Sequence, residues 1–193
     1  MKKKWLFITF VIVALLVIIV NERPSRYYQK PKPDIDLIDG LMSGSSMNRI
    51  SNKLTQAGFS VNAYNKTYPS KHSIQPPPLR HQILMSIAPK VQMGQMIVTN
   101  YVFGEIQGAL LMNYFNDHLW CAGFSCTNRQ DLAHFLERCN THPNEGEYLN
   151  LRNGAVVSWR EKGNWAVVEF IDPRYRRQID RWQKRFEFVM YTK

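Results

Sequence analysis

The chain has 193 residues with 25 Lys and Arg against 15 Asp and Glu, a formal charge of +10, and only three Cys. Much of that charge lies before the folded part. From Pro33 to Lys193 there are 18 Lys and Arg against 14 Asp and Glu, too mild a surplus for a nucleic-acid-binding domain. Three Cys exclude a dense disulfide scaffold.

Lys2, Lys3 and Lys4 precede Trp5 and an uninterrupted run, Leu6 to Val20, in which Thr9 is the only polar residue. Residues 5–20 make roughly 24 Å of helix at about 1.5 Å per residue, slightly less than a hydrocarbon core of about 30 Å. The reading is a transmembrane anchor, residues 1–20 with their cytoplasmic tip. The end of the run offers no small-x-small cleavage pattern and no Cys for lipidation follows it, which favours a retained anchor over a cleaved signal. Arg23, Arg26, Lys30 and Lys32 nearly balance the N-terminal charge. The tight lysine cluster puts the N-terminus inside and the domain in the periplasm or outside, on the inner membrane. Residues 21–33, with Pro24, Pro31 and Pro33, read as a basic extended linker.

Residues 34–193 read as one α+β domain, with a possible internal boundary near 140–150. Ser45 and Ser46 start a helix, Met47 to Ala57, and Gly58 stops it. Phe59 to Tyr64 alternates as a strand. Asn65 to Leu79 reads as a loop holding the Asn65-Lys66-Thr67 sequon and Pro76–Pro78. Gln82 to Ile87 and Gln95 to Phe103 are candidate strands. Gly108 to Phe115 and His118 to Phe124 form a hairpin turning at Asn116-Asp117, bulky on both faces and so covered by helices. A helix follows over Arg129 to Cys139, with Leu132, Phe135 and Leu136 in its stripe. Gly154 to Arg160 and Asn164 to Ile171 make a second hairpin. Asp172 caps the last helix and Pro173 occupies its first turn. Tyr175, Ile179, Trp182, Phe186 and Val189 form its apolar stripe. The expected fold class is α+β: an N-terminal transmembrane helix, then a mainly antiparallel sheet packed with three helices. Two hairpin-plus-helix units, Gly108 to Cys139 and Gly154 to Val189, share a rhythm without residue identity.

Gly44-Ser45-Ser46, the following helix and Phe115-Asn116-Asp117-His118-Leu119 resemble the small envelope lipoprotein domain of the BamE/SmpA type, over Asp34 to Phe124. The likeness implies a scaffold role in envelope assembly. The chain departs from that pattern in lacking a lipidation Cys, in its long central loop and in its second half.

Chemistry-bearing constellations are sparse. Cys121, Cys126, Cys139 and His142 have C-x4-C-x12-C-x2-H spacing, without the C-x2-C knuckle that marks zinc sites. A disulfide between Cys126 and Cys139, or Cys121 and Cys139, fits a non-cytoplasmic domain; three buried thiols are the plainer reading. Cys126 with His118 or His134 and Asp117 or Asp131 lists the parts of a cysteine hydrolase without fixing their geometry. There is no G-x-S-x-G, H-E-x-x-H or glycine-rich phosphate loop, so no catalytic set, metal or cofactor is expected. Arg174, Arg177, Arg181, Trp182, Lys184 and Arg185 are the candidate residues for an acidic protein face or anionic lipid. The functional expectation is a membrane-anchored, non-catalytic envelope protein that binds or scaffolds a membrane or envelope protein partner. The alternatives are an anchored Cys- or metal-dependent hydrolase and a secreted binding domain.

Overall fold

The computed structural model describes residues 34–68, 88–103, 105–127, 129–138, 145–162 and 165–186. A short hairpin, β1 (Asp36–Ile38) and β2 (Leu41–Met42), leads into α1 (Met47–Gln56). Then come β3 (Val61–Tyr68), β4 (Val91–Phe103), β5 (Ile106–Phe115), β6 (His118–Cys126) and α2 (Arg129–Arg138). The chain ends in β7 (Leu149–Asn150), β8 (Val156–Lys162), β9 (Trp165–Ile171) and α3 (Pro173–Phe186). One antiparallel sheet takes the order β3-β4-β5-β6-β9-β8-β7.

The expected fold class needs correction. The structure is a seven-stranded antiparallel sheet with three helices, and among the described residues no helix is long and apolar enough to cross a membrane. The expected span and the linker to residue 33 lie outside the described residues, as do the expected strand Gln82 to Ile87 and the Pro76–Pro78 segment. The strand expected to end at Tyr64 runs on to Tyr68, because eight successive residues pair with β4 without a bulge. Part of the expected loop is therefore sheet, and the sequon Asn65 sits within it.

Strand alternation divides the core into two layers. Met96, Val98, Leu110, Met112, Phe124, Val157, Val168 and Phe170 share one cluster on the first face. The entry hairpin, α1 and α2 cover that face. Ser46 caps α1 by accepting the Arg49 N–H at 3.3 Å, and Met47, Ile50 and Leu54 point inward. Gly58 ends the helix at φ +88°, a conformation side chains other than glycine disfavour. On α2, Phe135 stacks on Phe124 at 4.5 Å and also meets Phe103 and Phe170.

The second face belongs to the intervening residues. There α3 lies across one end of the sheet, joining Ile179 and Trp182 to Val91 and Phe115, with Tyr68, Met93 and Trp120 alongside. The buried indole donates to the Pro89 carbonyl at 3.2 Å. The two hairpins meet through the antiparallel pair β6–β9, yet α2 and α3 go to opposite faces. The rhythm of two units is therefore not a structural repeat. It does place β5 and β6 centrally, with a helix over each side.

The β5–β6 turn is made by Asn116 and Asp117 at φ +52° and +62°, the double left-handed geometry of a type I′ hairpin. Both side chains are used. Asn116 Oδ1 accepts the Gln92 N–H at 2.8 Å, and Asp117 Oδ1 accepts the Met47 N–H at 2.9 Å. The turn thereby fastens α1 to the sheet.

Asp172 joins the layers. Its amide donates to the Trp120 carbonyl at 2.9 Å. Its wholly buried carboxylate accepts the Arg174 N–H at 2.9 Å and the Arg174 guanidinium at 3.0 and 2.8 Å. The Ser43 hydroxyl reaches the same carboxylate, and Ser43 Oγ accepts the Ile35 N–H at 2.9 Å. Burial pushes this carboxyl up. The Arg174 side chain and amide and the Ser43 hydroxyl outweigh it, holding the group below the usual carboxylate range.

Because its folded pKa lies below the unfolded value, Asp172 stabilises the fold above that unfolded value, and the contribution is lost as pH falls through the folded one. Thermal melts should therefore show a steeper acid-side loss in the wild type than in Asp172→Asn. Asp172→Ala should cost about 3 kcal/mol, since it strands the Ser43 and Arg174 donors and removes the α3 cap. Asp172→Asn should recover about 1 kcal/mol of that through the cap alone.

Candidate functional site

Sheet register lays out the second face in rows. One row reads Tyr64, Gln95, Asn113, Cys121, Ile171 and Val156. The next reads Asn62, Ile97, Leu111, Gly123, Glu169 and Ser158. A third adds Ala109, Ser125, Val167 and Arg160. Among the described residues α3 is the one helix on this face, and it stops short of the second and third rows. The small residues Gly123 and Ser125 form a buried trough on the central strand β6. Taller, half-buried Ile97, Leu111 and Val167 stand beside it. At Gly123 an added Cβ would lie 3.0 Å from the Val168 carbonyl, so the trough is tight.

The rim is polar and braced. Gln95 Nε2 donates to Asn113 Oδ1 at 3.4 Å, and Arg160 pairs with Glu169 at 3.7 Å. Tyr64 is 62% exposed at one margin and Trp165 48% exposed at the other. An apolar centre with a polar, aromatic-bearing rim is the anatomy of a protein-binding patch. Periodicity in the sequence showed which residues alternate. It did not show which half of the second face a helix would leave open, so none of these residues stood out before.

The basic α3 candidates separate. Arg174 is held by Asp172. Trp182 is wholly buried and belongs to the core. Arg177, Arg181 and Lys184 are exposed along one ridge, with Arg181 Nε donating to the Arg177 carbonyl at 3.1 Å. The Arg185 side chain lies outside the described residues. Arg176, which pairs with Asp180 at 3.0 Å, places its guanidinium 5.8 Å from the Trp120 ring.

The cysteine constellations come apart on β6. Cys121 and Cys126 are five residues apart in unbroken register with β9, so they lie on opposite faces, roughly 16 Å apart along the strand. They cannot ligate one metal ion. Cys139 and His142 lie outside the described residues, and the described residues contain no cluster of three or more His, Cys, Asp or Glu placed for a metal. The Cys126–Cys139 pairing falls on the same boundary; Cys126 itself is buried on the face that α2 covers.

Among the described residues, Cys126 and His118 are not brought together as a hydrolase pair. His118 begins the strand that Cys126 ends, roughly 26 Å away, and its Nδ1 is 3.2 Å from the Gly44 carbonyl. Asp117 is engaged by α1, and His134 faces solvent. Cys121 is not the nucleophile of that set; burial, reinforced by nearby Glu169, pushes its thiol up to about 12, the reverse of an activated nucleophile.

No protein-family model and no curated protein matches this chain.

Alkylation checks the cysteine assignment. At neutral pH, native Cys121 should react with iodoacetamide about a thousandfold more slowly than in unfolded chain, from thiolate fraction alone. Fast native labelling would place the thiol at a surface.

Proposed function

We propose that this chain is a non-catalytic envelope protein, held at a membrane through its apolar N-terminal segment, whose sheet domain binds or scaffolds a protein partner. The observation that carries the reading is the open half of the second face. Ile97, Leu111 and Val167 form an apolar centre there that no described element covers, ringed by Gln95, Asn113, Glu169 and Arg160. The basic ridge of Arg177, Arg181 and Lys184 on the neighbouring helix favours an acidic margin on that partner.

The hydrolase alternative gains no support from the described residues: Cys121 and Cys126 lie on opposite faces of β6, and His118 stands at the end of the strand away from Cys126. The likeness to the small envelope lipoprotein domain draws on α1 preceding the strands of the seven-stranded sheet and on the hairpin at Phe115 to Leu119. By the same reading the domain lies outside the cytoplasm. Protease added to spheroplasts should then digest it without lysis.

Tagged full-length chain extracted from membranes in mild detergent should retain a stoichiometric partner. Ile97→Lys combined with Leu111→Glu should reduce its recovery about tenfold or more, since charge at the centre of a patch costs about 2 kcal/mol or more. A thermal melt of the double variant separates loss of folding from loss of binding, because both side chains are only partly exposed. Full recovery by a folded double variant would sink the assignment of this face.

A further inference from the structure

The seven-stranded sheet has two outer edges, and they are finished differently. At one, β7 is only two residues long, and further along β8 the Gly146 amide takes the Trp159 carbonyl at 2.9 Å; a short edge strand and a covering loop both blunt an edge. At the other, β3 runs for eight residues with no proline and in unbroken register with β4. Among the described residues no strand pairs with its outer side, and Asn62 to Thr67 are all exposed.

A hydrogen bond on β4 shows which groups β3 leaves open. The Asn116 amide donates to the Gln92 carbonyl at 2.7 Å, so the main-chain groups of Gln92 face β5. Those groups alternate in direction along an antiparallel strand. Val91, Met93, Gln95 and Ile97 therefore face β3, where their register partners are Tyr68, Lys66, Tyr64 and Asn62. The intervening Val61, Ala63, Asn65 and Thr67 turn their N–H and C=O outward. The edge carries little charge. Lys66 is the only charged residue of β3, and its ammonium lies over the Tyr68 ring, 5.1 Å from the centre. On α1, Arg49 and Lys53 face the entry hairpin, which puts the uncharged Asn48, Ser51 and Thr55 on the flank toward β3.

We propose that this chain forms a two-fold dimer in which β3 pairs antiparallel with β3 of a second copy. One register uses every outward group. Val61 meets the partner's Thr67 and Ala63 meets the partner's Asn65, each pair exchanging two bonds, and the two-fold axis repeats both. The same register sets Tyr64 against the partner's Tyr64 on the axis. That is a non-hydrogen-bonded site, where Cα atoms lie about 4.5 Å apart and side chains are closest. An aromatic pair is favourable there, and it gives the exposed Tyr64 a surface to pack on. Lys66 falls opposite the partner's Asn62, so the two like charges do not face each other. This fit of the strand to itself, in bonds, aromatics and charge, favours a second copy as the occupant. Eight residues a side are fewer than the roughly 20–30 of a standard stable interface, so the pairing is weak and is best trapped covalently. It does not rest on the partner surface proposed above.

Single cysteines in the full-length chain, oxidised with copper phenanthroline in isolated membranes and run on non-reducing gels, test the register, with the wild type as background for its native cysteines. Tyr64→Cys should give a reducible dimer, because a Cα separation of about 4.5 Å lies within disulfide range. Asn62→Cys and Lys66→Cys should each react about tenfold more slowly or less, since like positions stand roughly 13 Å apart along the strand. Co-expressed, those two should cross-link to each other as Tyr64→Cys does to itself. Ala63→Pro removes an outward N–H and spares the bonds to β4, so it should leave Tm nearly unchanged and cut Tyr64→Cys cross-linking about tenfold or more. Tyr64→Pro removes a bond to β4 and should lower Tm by several degrees. The dimer is overturned if Tyr64→Cys yields no reducible dimer, if it cross-links to a different protein instead, or if all three positions react alike. It is equally overturned if folded Ala63→Pro chain cross-links as its parent does, or if Tyr64→Pro is tolerated as well as Ala63→Pro.

Discussion

The buried carboxylate of Asp172 is the constraint on which the two layers depend. It stands where β9 ends and α3 begins, and it gathers donors from three places: the first turn of α3, the Arg174 guanidinium and Ser43 of the entry segment. The backbone completes the junction, because the Asp172 amide donates to the Trp120 carbonyl on β6, while the Gly44 amide donates to the Leu119 carbonyl and the Leu119 amide to the Ser45 carbonyl. A buried charge persists only when hydrogen bonds replace its lost hydration. Here those bonds come from segments remote in sequence, so satisfying the charge also fixes where the entry hairpin and the last helix sit.

The division of labour between the sheet faces follows from that junction. The first face is closed by the entry hairpin, α1 and α2 around an aromatic core centred on Phe135. Among the described residues the second is covered only at the end where α3 crosses, because a helix of 14 residues reaches about 21 Å, less than the breadth of a seven-stranded sheet at about 4.8 Å per strand. Small residues on β6 then lie low between taller neighbours. The polar rim keeps this uncovered region of the described sheet compatible with water.

Two features of this protein oppose local stability, and both lie away from the aromatic core. The open apolar rows forgo burial that a longer or differently placed helix would supply. The outer edge of β3 keeps a row of main-chain groups without a strand partner among the described residues. Departures from local consistency of this kind concentrate where function competes with folding. The cysteines, by contrast, are consistent with their surroundings: Cys121 and Cys126 are buried side chains in a central strand, and burial pushes the Cys121 thiol away from ionisation.

Much of the local structure was legible in the residues. Ser46 and Gly58 bounded α1, Asn116-Asp117 marked the hairpin, Asp172-Pro173 opened α3, and the Tyr175–Ile179–Trp182 spacing marked its buried stripe. These signals are local, resting on capping bonds, positive φ and periodicity within one element. The partition of α2 and α3 between opposite faces was not legible, nor was the separation of Cys121 from Cys126 across the sheet, nor the open rows centred on Leu111. These depend on register between strands distant in sequence and on where each helix comes to rest. The amino-acid order therefore determined which segments became helices and strands and which side chains sought burial. Only the tertiary structure decided which part of the sheet the described helices leave uncovered, because burial of one sheet face leaves the other to the length of α3.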